Sequence, residues 1–120
     1  MNNHGAVLVV DDDLSLRTLL SMSLRRAGYR AVTAASGAEA LRVLASQPIE
    51  VLVTDGVMDV MDGIELSRRA KNLQPSLHIA MLSAVYVDHD VDGAPIERVF
   101  KKPNAVGDLM AWLQQIEARA

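Results

Sequence analysis

The sequence predicts a doubly wound α/β fold, a five-stranded parallel sheet with helices on both faces. Short apolar runs such as Val7-Leu8-Val9-Val10 and Val51-Leu52-Val53-Thr54 have the length and polar boundaries of strands buried on both faces. Segments with helical periodicity alternate with these runs. Such alternation implies right-handed crossovers and hence a parallel sheet. A third observation says where chemistry belongs. Asp11, Asp12 and Asp13 follow the first run, Asp55 follows the second, and Lys102 follows Val99-Phe100-Lys101. Ligands of open α/β sheets sit beyond the carboxyl ends of the strands. Carboxylates and an ammonium gathered there suit a hard divalent cation and a phosphoryl group.

Each element has a local reason. After the first strand, Leu16, Leu20 and Leu24 recur at helical spacing from Leu14 to Ala27, and Gly28 supplies the stop. Tyr29 to Ala34 reads as the second strand. Gly37 to Ser46 follows as a helix with Ala38, Leu41 and Leu44 inward, broken by Gln47-Pro48. Val51 to Thr54 is the third strand, and Gly63 to Leu73 the third helix, closed by Pro75. Leu77 to Leu82 and Arg98 to Lys101 are the last two strands. The final helix runs from Ala105 to Glu117 with Val106, Leu109, Leu113 and Ile116 on one stripe and Trp112 on its flank as a half-buried core anchor. The crossover from Ala84 to Glu97 differs from the others. Its β-branched residues, three Asp, Gly93 and Pro95 disfavour a helix, so a fourth helix is expected to be short or irregular.

Bulk properties bound the function. The chain of 120 residues is read as one domain, 1–120, with no output module. Its net charge of -3 speaks against direct nucleic-acid binding, which needs a basic face. The absence of cysteine excludes disulfides, thiolate metal sites and a cysteine nucleophile. No apolar run approaches the roughly 18 residues that cross a bilayer, and the start lacks a signal-peptide pattern, so a cytoplasmic location is expected.

Four pieces, taken in order, resemble the receiver domain of two-component response regulators, the chemotaxis-regulator fold. They are Val9-Val10-Asp11-Asp12-Asp13, Asp55 through Gly63, Ser83-Ala84 and Lys102-Pro103. No piece is specific alone; together, with Asp12 and Asp55 separated by 43 residues and Ser83 and Lys102 by 19, they make a strong signal. The resemblance implies a flavodoxin-like strand order 2-1-3-4-5. It implies Mg²⁺ held by Asp11, Asp12, Asp55 and the backbone carbonyl of Val57, with Asp55 as phosphoacceptor. Lys102 would neutralise phosphoryl charge, and the Ser83 hydroxyl would donate to a phosphoryl oxygen. The partners implied are a histidine kinase or histidine phosphotransfer protein and a downstream protein target. The domain would be a monomer or a phosphorylation-dependent dimer, with no enzymatic activity beyond its own phosphorylation and dephosphorylation. The family also places a cis bond between Lys102 and Pro103, which aims Lys102 at the pocket. Lys101, on the opposite side of the strand, is then a bystander.

The pattern is not complete. Asp59 stands where the family usually has proline, and Val99 where many members carry a switching aromatic. Val99, with the shortened crossover before it, raises the alternative of a pseudo-receiver, a phosphorylation-independent interaction module. An aspartyl phosphatase is disfavoured because Val57 occupies the place of the acid/base Asp. Asp88, Asp90, Asp92 and Gly93 resemble the first half of a calcium loop, but Pro95 and Val99 fail its second half. Asp12 or Asp13 alone would serve as a helix cap. His4, His78 and His89 lack metal-ligand spacing, and His78 is expected to pack or to pair at a strand end.

Overall fold

The computed structural model describes residues 5–102 and 105–119. Among them run β1 (Ala6–Val10), α1 (Leu14–Arg26), β2 (Arg30–Ala34), α2 (Gly37–Ser46), β3 (Val51–Asp55) and α3 (Gly63–Leu73). Then come β4 (His78–Ser83), a 3₁₀ turn (Asp88–Val91), β5 (Arg98–Lys101) and α4 (Val106–Arg119). The strands form one parallel sheet in the order β2-β1-β3-β4-β5, as expected. Element boundaries agree with the sequence reading to within two residues.

Strand alternation divides the core. Val7, Val9, Val51, Val53, Ala80, Leu82 and Phe100 face α1 and α4, meeting Leu20, Leu24, Leu109 and Leu113. Leu8, Val10, Leu52, Ile79 and Met81 face α2 and α3, meeting Ala40, Leu44, Leu66 and Ala70. A sheet covered on both faces has little room for polar residues within its central strands, which is why they read as near-continuous apolar runs, with Thr54 and Ser83 buried only at their ends. Trp112 is the expected core anchor, but at 4% exposed it is buried rather than half-buried, with its ring edge-on to Phe100 at 6.0 Å.

Caps hold the loops that frame the sheet edge. Asp13, not Asp12, caps α1 by accepting from the Ser15 N–H at 2.9 Å. Ser36 caps α2 and Asp62 caps α3 in the same way. The crossover from Ala84 to Glu97 forms a single 3₁₀ turn, matching the expected short or irregular element. Its acidic residues have local work. Asp88 accepts from the Val99 N–H at 3.0 Å and Asp90 from the Val87 N–H at 2.8 Å. The first bond fastens the crossover to β5 and the second closes the 3₁₀ turn, so the partial calcium-loop pattern serves the backbone. His78 pairs with Glu97 at 2.8 Å across the starts of β4 and β5, and His89 pairs with Asp92.

Val60, between β3 and α3, has φ of 70° and a fully exposed side chain. A β-branched residue is strained there, and its exposed side chain offers no packing in return. Val60→Gly is therefore expected to raise stability by about 1 kcal/mol, the relieved strain outweighing the added freedom of the unfolded chain. An unchanged or lower denaturation midpoint would refute this.

Candidate functional site

Three strand ends meet at one point because β1 lies between β2 and β3, with β4 and β5 beyond. Asp11 leaves β1, Asp55 ends β3 and Lys102 leaves β5. The Lys102 N–H donates to the Ser83 carbonyl at 3.0 Å, continuing the β4–β5 ladder one step and pointing this lysine back over the edge. Its ammonium then donates to Asp11 Oδ2 and to Asp55 Oδ1, both at 3.1 Å. Lys101 is exposed and donates to the Ala84 carbonyl at 3.3 Å, away from the carboxylates. Pro103 lies outside the described residues, as do the expected cis bond before it and His4.

Asp11 is 2% exposed and bonded on every side. Its N–H donates to the Ala34 carbonyl at 3.2 Å, and its Oδ1 accepts from the Asp13 N–H at 2.8 Å. Its own carbonyl accepts from Arg17 Nη1 at 2.7 Å. Asp12 is exposed, and its carboxylate has no protein partner among the described residues. Asp55 Oδ1 carries both of that side chain's protein bonds, from Lys102 and from the Gly56 N–H at 2.8 Å. Its Oδ2 is left available.

Three carboxylates share this corner with one ammonium. Burial raises the Asp55 carboxyl above the ordinary carboxylate range, and the neighbouring Asp11 charge adds to the rise. The bond and charge of Lys102, with the Gly56 N–H, pull the other way without prevailing. For Lys102, burial favours the neutral amine, but its bonds to Asp55 and Asp11 outweigh that and raise its pKa. One oxygen from each of Asp11, Asp12 and Asp55 lies within 4.8 Å of the others. Ligands of an octahedral Mg²⁺ with bonds near 2.1 Å lie about 3 Å apart when adjacent and about 4 Å apart when opposite, so these carboxylates would draw together to hold one. The donors are all oxygens, as a hard cation requires. The Val57 carbonyl accepts no hydrogen bond among the described residues, and its side chain is exposed.

Ser83 is buried, with Oγ accepting from the N–H groups of Val85 at 3.0 Å and Tyr86 at 2.9 Å. The hydroxyl proton stays free to be donated. Gly56 is the unforeseen member of this corner. A Cβ there would lie 2.7 Å from the Tyr86 ring and 2.9 Å from Ser83 Oγ, so the absence of a side chain lets Tyr86 lie against the residue after Asp55. Gly63 is equally constrained, since a Cβ would collide with the Asp55 carbonyl. No sequence pattern marks these contacts, nor the Arg17 bond; each joins residues whose proximity depends on the assembled sheet or helix.

The family model of the response regulator receiver domain matches residues 7–114. The chain is 35% identical over 113 residues to the response regulator receiver protein CpdR of Brucella abortus, covering 92% of this chain and 94% of that protein. It is 42% identical over 111 residues to the transcriptional regulatory protein GlrR of Escherichia coli, but spans only 25% of that longer protein. Among solved structures, the response regulator TrrA of Thermotoga maritima, in complex with Mg²⁺ and a beryllium fluoride, superposes with a TM-score of 0.83 at 26% identity. That match covers 92% of this chain and 97% of TrrA. A matched strand order, an acidic cluster at the sheet edge and a family match along most of its length agree: the chain belongs to the response regulator receiver family of two-component signalling.

Proposed function

We propose that this domain accepts a phosphoryl group on Asp55 from a histidine kinase or histidine phosphotransfer protein and thereby changes its affinity for a downstream protein. The observation that carries this reading is the half-buried Lys102 ammonium shared between Asp11 and Asp55, beside an Asp12 carboxylate that has no protein partner among the described residues. Such an arrangement holds anionic oxygens together while lacking one cation. Asp11, Asp12, Asp55 and the Val57 carbonyl would hold Mg²⁺. The ion, when bound, neutralises charge on the carboxylates and on the incoming phosphoryl oxygens.

The chain's own groups supply the remaining roles. An Asp55 carboxylate oxygen forms the new bond to phosphorus while the phosphorus–nitrogen bond of the donor phosphohistidine breaks, its electron pair leaving with the imidazole. Lys102 offers the positive charge that phosphoryl oxygens require in a loose transition state. Ser83 has a free hydroxyl proton for one of those oxygens. Its Oγ also anchors the N–H groups of Val85 and Tyr86, so a shift of this hydroxyl would move the start of the crossover.

The pseudo-receiver reading draws on the same corner: Val99 fills the usual aromatic position, and Asp88 ties the 3₁₀ turn to β5 through the Val99 N–H. Labelling separates the two. Incubation with acetyl phosphate and Mg²⁺ is expected to add one adduct of about 80 Da, located at Asp55; an unlabelled domain would leave only the interaction module. Mg²⁺ is also expected to raise the melting temperature of the native protein, as any ligand confined to the folded state does, and to do so far less in Asp12→Ala. Equal shifts in both proteins would place the ion elsewhere.

A further inference from the structure

We propose that Arg17 is a positioning residue for the cation site, locking the backbone from which Asp12 projects. The inference rests on the proposed Mg²⁺ site and concerns how its exposed ligand is aimed. Asp12 differs from its neighbours in having no side-chain partner of its own among the described residues. Its direction is therefore set by the two peptide groups that flank it. The C-terminal one is held by the Asp13 N–H donating to Asp11 Oδ1 at 2.8 Å. The N-terminal one is held by Arg17, whose Nη1 donates to the Asp11 carbonyl at 2.7 Å.

Arg17 is itself fixed, because its N–H bonds to the Asp13 carbonyl in the first turn of α1. The guanidinium thus ties the helix to the strand end across the loop that carries two of the three carboxylates. A planar fork suits this task better than a lysine, which would have to fix one carbonyl with a rotating point donor. Groups that orient metal ligands without touching the metal commonly alter affinity by about 10–100-fold when removed.

Positioning and simple charge make opposite predictions, which makes the test decisive. A guanidinium near a cation site repels the cation, so removing it for electrostatic reasons alone would tighten Mg²⁺ binding. Removing a positioning group would weaken it. Mg²⁺ affinity is to be measured by calorimetric titration of the native protein, Arg17→Met and Arg17→Lys, with each melting temperature recorded in metal-free buffer. Arg17→Met is expected to weaken Mg²⁺ binding by about tenfold or more, and Arg17→Lys by less, the charge being kept in both native and Lys forms. Equal or tighter binding by Arg17→Met overturns the proposal, as does a lowered melting temperature with unchanged affinity, which would make Arg17 a structural tie only. Should Arg17→Met fail to fold, Arg17→Lys decides: affinity equal to the native protein refutes positioning by the fork, and weaker binding supports it. Failure of the native protein to bind Mg²⁺ would instead overturn the site on which the inference rests.

Discussion

Lys102→Ala is expected to destabilise the domain by about 3–5 kcal/mol in metal-free buffer, because it leaves buried carboxylates without their counterion. The side chains of Asp11 and Asp55 are only 3% and 12% exposed, and Lys102 is the cation that both reach. Lys101→Ala should fall within about 0.5 kcal/mol of the native protein, as surface substitutions do. Two further features identify the mechanism. Added Mg²⁺ should return much of the lost stability, since a cation can take over part of the neutralisation. The pH dependence also follows from the raised pKa of Lys102 in the folded state. Its contribution is complete below the ordinary lysine value of 10.5 and is lost as pH rises through the higher folded value. Native and Lys102→Ala proteins should therefore converge in strongly alkaline buffer. Chemical denaturation across pH checks this, and comparable losses for Lys101→Ala and Lys102→Ala would refute the assigned register of β5.

Asp55→Asn is expected to abolish phosphoryl labelling while making the metal-free domain more stable at neutral pH. The amide keeps an oxygen for Lys102 and for the Gly56 N–H, so both bonds that Oδ1 accepts still have an acceptor in the variant. What disappears is a buried negative charge that Asp11 opposes. A gain on the order of 1 kcal/mol corresponds to roughly 3–6 °C in melting temperature for a domain of this size. The sign follows from linkage. With its folded pKa raised, Asp55 binds its proton more tightly in the native state, so native stability falls as pH climbs from about the ordinary carboxylate value of 3.8 through the folded value. The variant lacks that loss, and its advantage should vanish in acid below 3.8. A less stable variant at neutral pH would mean that the Asp55 charge is well compensated, and undiminished labelling would place the phosphoacceptor elsewhere.

Much of this site was legible before any coordinates. A strand buried on both faces needs a near-continuous apolar run, so its end is marked by the first charged residue, and that marks Asp11, Asp55 and the Lys101-Lys102 pair. Helix caps are equally local: Ser36 and Asp62 bond the N–H three residues onward, and Asp13 the N–H two onward. The irregular crossover was legible too, because Gly93, Pro95 and three Asp resist a helix wherever they are placed.

Other features depend on residues distant in the chain. Lys102 bonds Asp11 across 91 positions and Asp55 across 47, contacts that no local pattern contains. Asp11 and Asp12 look alike as neighbours in sequence; Ala34, Arg17 and Lys102 bond the first, which is buried, while the second is exposed with no side-chain partner among the described residues. Trp112 is buried more deeply than expected because Phe100 of β5 meets it. The strain at Val60 and the close approach of Tyr86 to Gly56 likewise arise from loops closed by the assembled sheet. The sequence by itself determined the strands, the caps and the kinds of charge at their ends, since periodicity and capping act over a few residues. Tertiary structure decided which of those charges are buried, paired or left open to a ligand, because burial and pairing depend on which distant segments pack together.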